Sequence, residues 1–173
     1  MGREIDIARR QTARTTGNVV RNASFRVVGT AAQKIRSIFR SLRRDGISKA
    51  LPFSVGHVEK RMRDFANANG IAIANGDLYM SVKGITHARR PSKIRDGLAV
   101  SESDMAEFPK KRSQMDLFHD GTSFIYTDYK NKFIIHPNYE LKIDGKKKKK
   151  VNFVTAGKVT DPTEFNNPRY RKV

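Results

Sequence analysis

The chain has 173 residues, enough for one sizeable hydrophobic core. Its 35 Lys and Arg residues against 17 Asp and Glu give a net charge of +18, which concentrates polyanions at the surface. The lack of cysteine excludes disulfides and thiolate metal sites, and neither a membrane-spanning stretch nor a signal peptide is recognisable. We therefore expect a nucleic acid as the partner, with no membrane span and no cofactor.

The first part of the chain, residues 1–70, predicts a basic helical segment. Residues 1–26 are polar and rich in arginine, which indicates a short helix or a flexible arm. Over residues 27–46, apolar side chains recur at three- and four-residue intervals up to a glycine, which predicts an amphipathic helix. A second helix is expected over residues 54–70, with His57 in its first turn.

Residues 71–160 predict the functional domain, and residues 161–173 a loosely structured tail. A hairpin or a helix–turn–helix fits residues 71–80, and a short helix capped by Ser101 is expected to stop at Pro109. Three runs rich in β-branched and aromatic residues follow, which predict consecutive antiparallel strands. The fold class is therefore α+β, with N-terminal helices followed by a small antiparallel sheet of three to five strands.

Alternation along the predicted strands sorts their side chains between two faces of the sheet. His136 and Ile134 share one face, opposite Phe133 and Ile135. Because Pro137 directly follows, His136 is expected at a strand end.

Two further features of the sequence are consistent with RNA binding. Three tyrosines in or beside strands can stack on unpaired bases or can be core residues: Tyr126, Tyr129 and Tyr139. The run Lys146–Lys150 is expected in an exposed hairpin loop, where it adds affinity without sequence choice.

Basic side chains, histidine and hydroxyls are sufficient for metal-independent RNA cleavage. In this reaction the ribose 2′-OH attacks the adjacent phosphate, so DNA is spared. The step needs a proton acceptor, a proton donor for the leaving oxygen, and cations or hydrogen-bond donors around the phosphate.

Four sequence blocks occur in an order that resembles the Barnase–EndoU–colicin–RelE (BECR) nuclease superfamily. They are Lys83-Gly-Ile-Thr-His-Ala-Arg-Arg, Ser101-Glu-Ser-Asp-Met-Ala-Glu-Phe-Pro, Phe124-Ile-Tyr with Lys132-Phe-Ile-Ile, and Val151-Asn-Phe-Val-Thr-Ala. The resemblance is one of pattern over residues 78–160. It is nearest to the phage-encoded and colicin-D-like branches, and it implies a BECR-like fold.

The resemblance implies a set of site residues. His87 would transfer protons beside Lys83, Thr155 would touch the scissile phosphate, and His136 would be the second histidine, with His119 as the other candidate. RNA would be bound by Arg89, Arg90, Lys132, Lys158, Tyr126, Lys146, Lys147 and Lys148.

The predicted function is that of an RNA-cleaving toxin domain, a ribonuclease with tRNA among its candidate substrates. It would act in the cytoplasm, arrive by phage particle or secretion system, and be held in check by an acidic immunity or antitoxin protein. The alternative is a phage or mobile-element structural protein that binds nucleic acid or capsid neighbours in the virion through Arg3–Arg44 and Lys146–Lys150. A third interpretation of the sequence is a housekeeping protein associated with RNA or the ribosome.

Overall fold

The computed structural model describes residues 24–173, so the arm expected over residues 1–26 lies outside it up to residue 23. Within the described residues there are five α-helices: α1 Ala31–Asp45, α2 Lys60–Ala68, α3 Val82–Ala88, α4 Pro91–Arg95 and α5 Glu102–Lys111. The strands are β1 Phe53–His57, β2 Asp77–Met80, β3 Asp116–His119, β4 Phe124–Thr127, β5 Asn131–Leu141, β6 Lys149–Lys158 and β7 Arg171–Lys172. Short 3-10 helices span Arg112–Gln114 and Pro162–Asn166.

The strands form one seven-stranded sheet in the order β1-β2-β6-β5-β4-β3-β7. Every neighbouring pair is antiparallel except β2 and β6, which run parallel. The α+β class is confirmed, but the expected antiparallel sheet of three to five strands is wrong. The two extra strands at one edge come from residues 53–80, and the extra strand at the other edge comes from the C-terminal segment.

The two faces of the sheet are covered differently. Apolar side chains of α1, α2, α3 and α5 pack on one face, here called the helix face, and bury β-strand side chains that include Phe133, Ile135 and Val154. The opposite face, here called the open face, carries the alternate residues and a smaller apolar cluster of Phe118, Ile125, Phe165 and Tyr170. The main core also takes residues from α1 and β1, so the boundary expected at residue 70 does not separate two cores.

Helix α1 confirms the helix predicted from apolar spacing, although it begins at Ala31 and not at residue 27. Thr30 caps its N-terminus in a capping box with Gln33, and Gly46 ends it in the left-handed conformation at φ 73°. Its apolar stripe is buried in the core while Arg43 and Arg44 lie exposed in the last turn.

The helix expected over residues 54–70 is wrong in its first half. Residues 53–57 form strand β1, in which Phe53 and Val55 alternate into the core, and helix α2 begins only at Lys60. The expected hairpin over residues 71–80 is also absent from the structure, since β2 pairs with β1 and β6 instead. Helix α5 begins as expected, with the Ser101 hydroxyl accepting from the N–H of Asp104, but it runs past Pro109.

The segment 161–173 is folded rather than loosely structured. Asp161 caps its 3-10 helix, and its two aromatic residues Phe165 and Tyr170 are buried against the open face. Strand β7 then pairs with β3 at the sheet edge. Burial of two aromatic rings explains why a Pro- and Asn-rich segment takes a fixed position.

Candidate active site

A histidine and a threonine predicted for the site form a hydrogen-bonded pair on the open face. In the β5–β6 ladder Ile134 lies opposite Thr155 and His136 lies opposite Phe153, so His136 and Thr155 are diagonal neighbours. His136 Nε2 and Thr155 Oγ1 are 3.1 Å apart, and both side chains are half-buried. Strand pairing therefore joins a proton-accepting nitrogen to a hydroxyl group.

Burial affects the protonation state of the His136 imidazole. Desolvation is the largest cause that lowers the pKa of His136 from its ordinary value of 6.5, so the imidazole is mainly neutral at neutral pH. A neutral imidazole can accept a proton from a hydroxyl, which is what a general base requires. The Thr155 hydroxyl can in turn donate to an anionic oxygen placed above the sheet.

Two aromatic rings border His136. The ring centroids of Tyr139 and Phe153 lie 5.0 Å apart with their planes 26° apart, and the His136 ring lies 6.1 Å from Phe153. Tyr139 is 45% exposed, whereas Phe153 is buried. The site therefore has an aromatic wall with one solvent-facing ring.

A bulge in β5 puts Tyr139 on the same face as His136. The ladder register shifts between these two residues, so that Tyr139 lies opposite Val151, two positions before Phe153 on the same face of β6. The intervening Pro137 has no N–H to lose from the ladder, and Asn138 takes a positive φ of 54°. The strand continues to Leu141, so the expectation that Pro137 ends it is wrong.

The bulge is held from the helix face by a buried carboxamide. Asn152 Oδ1 accepts from the backbone N–H of Asn138 at 3.3 Å and from that of Ala74 at 3.1 Å. Asn152 Nδ2 donates to the Ala74 carbonyl at 2.9 Å. Sequence reasoning missed this arrangement, although the dipeptide Pro137-Asn138 inside a β-rich run is a bulge signal.

Helix α3 packs beside β6 and carries His87. The Ser81 hydroxyl caps this helix by accepting from the N–H of Gly84, and a Cβ on Gly84 would lie 3.1 Å from Phe153 Cζ. Glycine thus allows the helix to approach Phe153 closely. His87 lies one turn later on the same side of α3, is exposed, and its ring makes no hydrogen bond within residues 24–173. Lys83 is exposed near the start of this helix.

The predicted RNA-binding cations separate into free and engaged side chains. Arg90 is exposed, and its guanidinium makes no ion pair among the described residues. Arg89 instead donates to the Val100 carbonyl and lies over the Phe39 ring at 5.2 Å, so it joins the helices. Lys132 is on the open face, but its ammonium is bound to the carboxylate of Glu164 at 3.1 Å.

Two residues predicted to bind RNA lie away from the His136–Thr155 pair. Tyr126 is fully buried on the helix face, where its hydroxyl donates to Glu59, so it cannot stack on a base. Burial and that carboxylate raise its pKa. Lys158 alternates with Thr155 along β6 and pairs with Asn131, which places it on the face opposite the His136–Thr155 pair.

The first three residues of the lysine run lie where expected, in the loop between β5 and β6, whereas Lys149 and Lys150 belong to β6. The Asp144 carboxylate accepts the backbone N–H groups of Lys146 and Lys147, at 2.9 Å and 3.1 Å, which fixes the turn. The last two lysines pair with Asp144 and Glu140. The side chains of Lys146, Lys147 and Lys148 are exposed and meet no carboxylate within residues 24–173.

The two remaining histidines have local roles. His119 is buried against Phe65 and Phe124, its Nδ1 accepts the Gly121 N–H at 3.2 Å, and burial lowers its pKa. It therefore packs beneath the helices and does not reach the site. His57 is exposed at the β1–β2 edge and contacts Asp77.

Strand β1 also brings Ser54 to this carboxylate. The Ser54 hydroxyl donates to Asp77 at 2.6 Å. Serine and histidine thus both bond the same carboxylate and not each other, so this cluster has no serine-to-imidazole proton path.

Among residues 24–173 no group of three or more His, Asp or Glu side chains is arranged to hold a metal ion. In that same range, no helix has both the length and the apolar character needed to cross a membrane. Comparisons with protein-family models, curated proteins and solved structures found no match to this chain. The likeness to the BECR superfamily therefore stays a prediction.

Proposed function

We propose that this protein is an endoribonuclease of the BECR type that cleaves RNA by 2′-OH attack on the adjacent phosphate, without a metal ion. The observation that carries the proposal is the hydrogen-bonded His136–Thr155 pair on the open face. A neutral, half-buried imidazole beside a hydroxyl matches the need for a base and a phosphate-contacting donor. His87, exposed on α3 one turn after Gly84, is the candidate second histidine.

Each residue has a defined role in the proposed step. His136 Nε2 accepts the 2′-OH proton while the 2′-oxygen forms a bond to phosphorus. Once released from the imidazole, the Thr155 hydroxyl donates to a non-bridging oxygen of the crowded phosphate. His87 protonates the 5′-oxygen as the P–O5′ bond breaks, which leaves a 2′,3′-cyclic phosphate and a 5′-hydroxyl. Arg90 and Lys83, both exposed near His87, attract the RNA backbone.

Cleavage of purified RNA in EDTA tests the proposal. We expect His136→Ala and Thr155→Val to reduce the rate by about a hundredfold or more, within the usual contribution of proton transfer and oxyanion stabilisation. His87→Ala should reduce it similarly. The matched controls are Thr160→Val and His57→Ala, which alter an exposed threonine beyond β6 and an exposed histidine at the sheet edge.

Two results identify the chemistry. Products should end in a cyclic phosphate, and a substrate with one 2′-deoxy sugar at the cleavage position should stay intact there. RNA that is equally intact with and without the wild-type protein would exclude the nuclease. Cleavage that survives in both His136→Ala and Thr155→Val would exclude this site.

The proposal extends to a toxin role in the cytoplasm, with tRNA among the RNAs to be tested. A net charge of +18 suits an acidic inhibitor protein, because opposite potentials speed and stabilise association. An acidic protein encoded beside this chain should co-elute with it and block cleavage. Failure of such a protein to bind would count against the toxin role.

The alternative is a virion or mobile-element structural protein that binds nucleic acid without cutting it. It is favoured by the exposed, unpaired side chains of Lys146, Lys147 and Lys148. Replacing these three by glutamine should lower the slope of log affinity against log salt by about 2.7 on duplex DNA, at roughly 0.9 per phosphate contact. Salt-sensitive binding of duplex DNA with no RNA cleavage, unchanged in His87→Ala, would favour this alternative.

A further inference from the structure

Tyr139 lies beside His136 with part of its ring exposed to solvent. It is 45% exposed although its ring is stacked on Phe153, and it lies 6.2 Å from the His136 ring. One side of the ring covers the buried Phe153, and the rest of it is left open. Here the ring offers its surface to solvent next to the candidate base.

The placement of Tyr139 depends on the β5 bulge. In a regular strand, residues 136 and 139 lie on opposite faces because their separation is odd. The extra residue between His136 and Tyr139 restores them to one face. The bulge needs a left-handed Asn138 and a fully buried Asn152 carboxamide that bonds to it. Two unusual features of the chain thus have the same effect, which is to bring this tyrosine beside His136.

We propose that Tyr139 is the base-stacking residue of the site and that it binds the nucleobase next to the scissile phosphate. This inference rests on the proposed RNA-cleaving function. A base in a duplex has both faces covered by neighbouring bases, so a base that stacks on Tyr139 must be unpaired. The substrate class is therefore single-stranded RNA or a loop, and not a regular duplex.

The rigidity of the wall favours this use. Phe153 supports the tyrosine ring from beneath, while Pro137 and Asn152 limit movement of its backbone. A preorganised ring loses little conformational entropy when a base stacks on it. Stacking accepts any base, so Tyr139 would select unpaired structure and not sequence.

Binding of a non-cleavable oligonucleotide tests the inference separately from catalysis. The probe is a short single-stranded 2′-O-methyl RNA that contains 2-aminopurine, whose fluorescence is quenched when it stacks. The chain has no tryptophan, so the probe can be excited without interference. Wild-type protein and Tyr139→Phe should quench it, because both rings stack.

Tyr139→Leu should abolish the quenching and weaken binding about tenfold, the usual size of one base–aromatic contact. The matched control is Tyr129→Leu, since Tyr129 is 40% exposed but lies at the β4–β5 turn. That variant should quench and bind like wild type. In the same probe annealed to its complement, neighbouring bases already cover the 2-aminopurine, so this duplex should bind no more tightly to wild type than to Tyr139→Leu.

The possible outcomes separate this inference from the nuclease. Tyrosine-dependent quenching without any RNA cleavage would support the stacking site and overturn the proposed enzyme. RNA cleavage with quenching and affinity unchanged in Tyr139→Leu would overturn the stacking site alone. Equal affinity of wild-type protein for the duplex and the single strand would also overturn it.

Discussion

Replacing Asn152 by alanine tests how the site is held in place. Asn152 is 0% exposed, and its carboxamide makes three hydrogen bonds to backbone groups of Ala74 and Asn138. These bonds tie the loop before β2 and the β5 bulge to the same side chain of β6. Asn152→Ala removes all three at once and adds no new partner.

The magnitude follows from the groups left behind. Ala74 is only 8% exposed, so its N–H and C=O both lose their partner in a buried position. An unsatisfied buried polar group costs about 1–3 kcal/mol, so we expect a loss of about 3 kcal/mol in the free energy of unfolding. With a urea dependence of about 2 kcal/mol per molar, the unfolding midpoint should fall by about 1.5 M.

Urea unfolding followed by circular dichroism measures this shift. The control is Asn67→Ala, which removes an exposed asparagine from α2 and should change stability by less than about 0.5 kcal/mol. If Asn152→Ala and Asn67→Ala unfold at the same midpoint, the carboxamide does not hold the bulge. In a folded Asn152→Ala variant, RNA cleavage should also be slower, since Tyr139 and His136 lose their shared support.

Four further predictions concern the cations and the pH dependence. Arg89→Ala should lower stability by about 1–2 kcal/mol in thermal or urea unfolding without changing RNA affinity, because its guanidinium packs inside the protein. Arg90→Ala should instead leave stability unchanged and reduce the slope of log RNA affinity against log salt by about 0.7. The opposite pattern for either arginine would contradict these assignments. Glu164→Gln should raise that slope by a similar amount by releasing Lys132, and an unchanged slope would show that Lys132 does not reach RNA. Burial lowers the pKa of His136 below its ordinary value of 6.5, and the base must be neutral to accept a proton. The cleavage rate should therefore rise with pH through this lowered pKa. A rate that falls as the pH rises over this range would contradict the assignment of His136 as the base.

Local sequence rules predicted the faces of the strands but not the neighbours across the sheet. Alternation correctly separated His136 and Ile134 from Phe133 and Ile135. It could not show that His136 would lie diagonal to Thr155, because that register depends on the length and shape of the loop between β5 and β6. The hydrogen bond between the two side chains is a product of this register.

Longer-range contacts decided the elements that sequence reasoning missed. Residues 53–57 fit a strand as well as a helix over so short a run, and pairing with β2 decides in favour of the strand. The charge of Arg89 and Lys132 could be counted, but not their engagement with Val100 and Glu164, which are distant in sequence. Composition therefore overestimates the number of cations available to RNA.

The departures from regular structure around β5 and β6 share one location. A proline inside a strand, an asparagine with positive φ and a buried carboxamide are each unfavourable in a regular sheet. All three meet beside His136, and their combined effect is to expose Tyr139 next to it. Sequences that depart from local rules without a packing benefit do so mainly at functional sites. The open face between His136 and Tyr139 is thus where function should be sought first, whichever chemistry the cleavage and binding assays reveal.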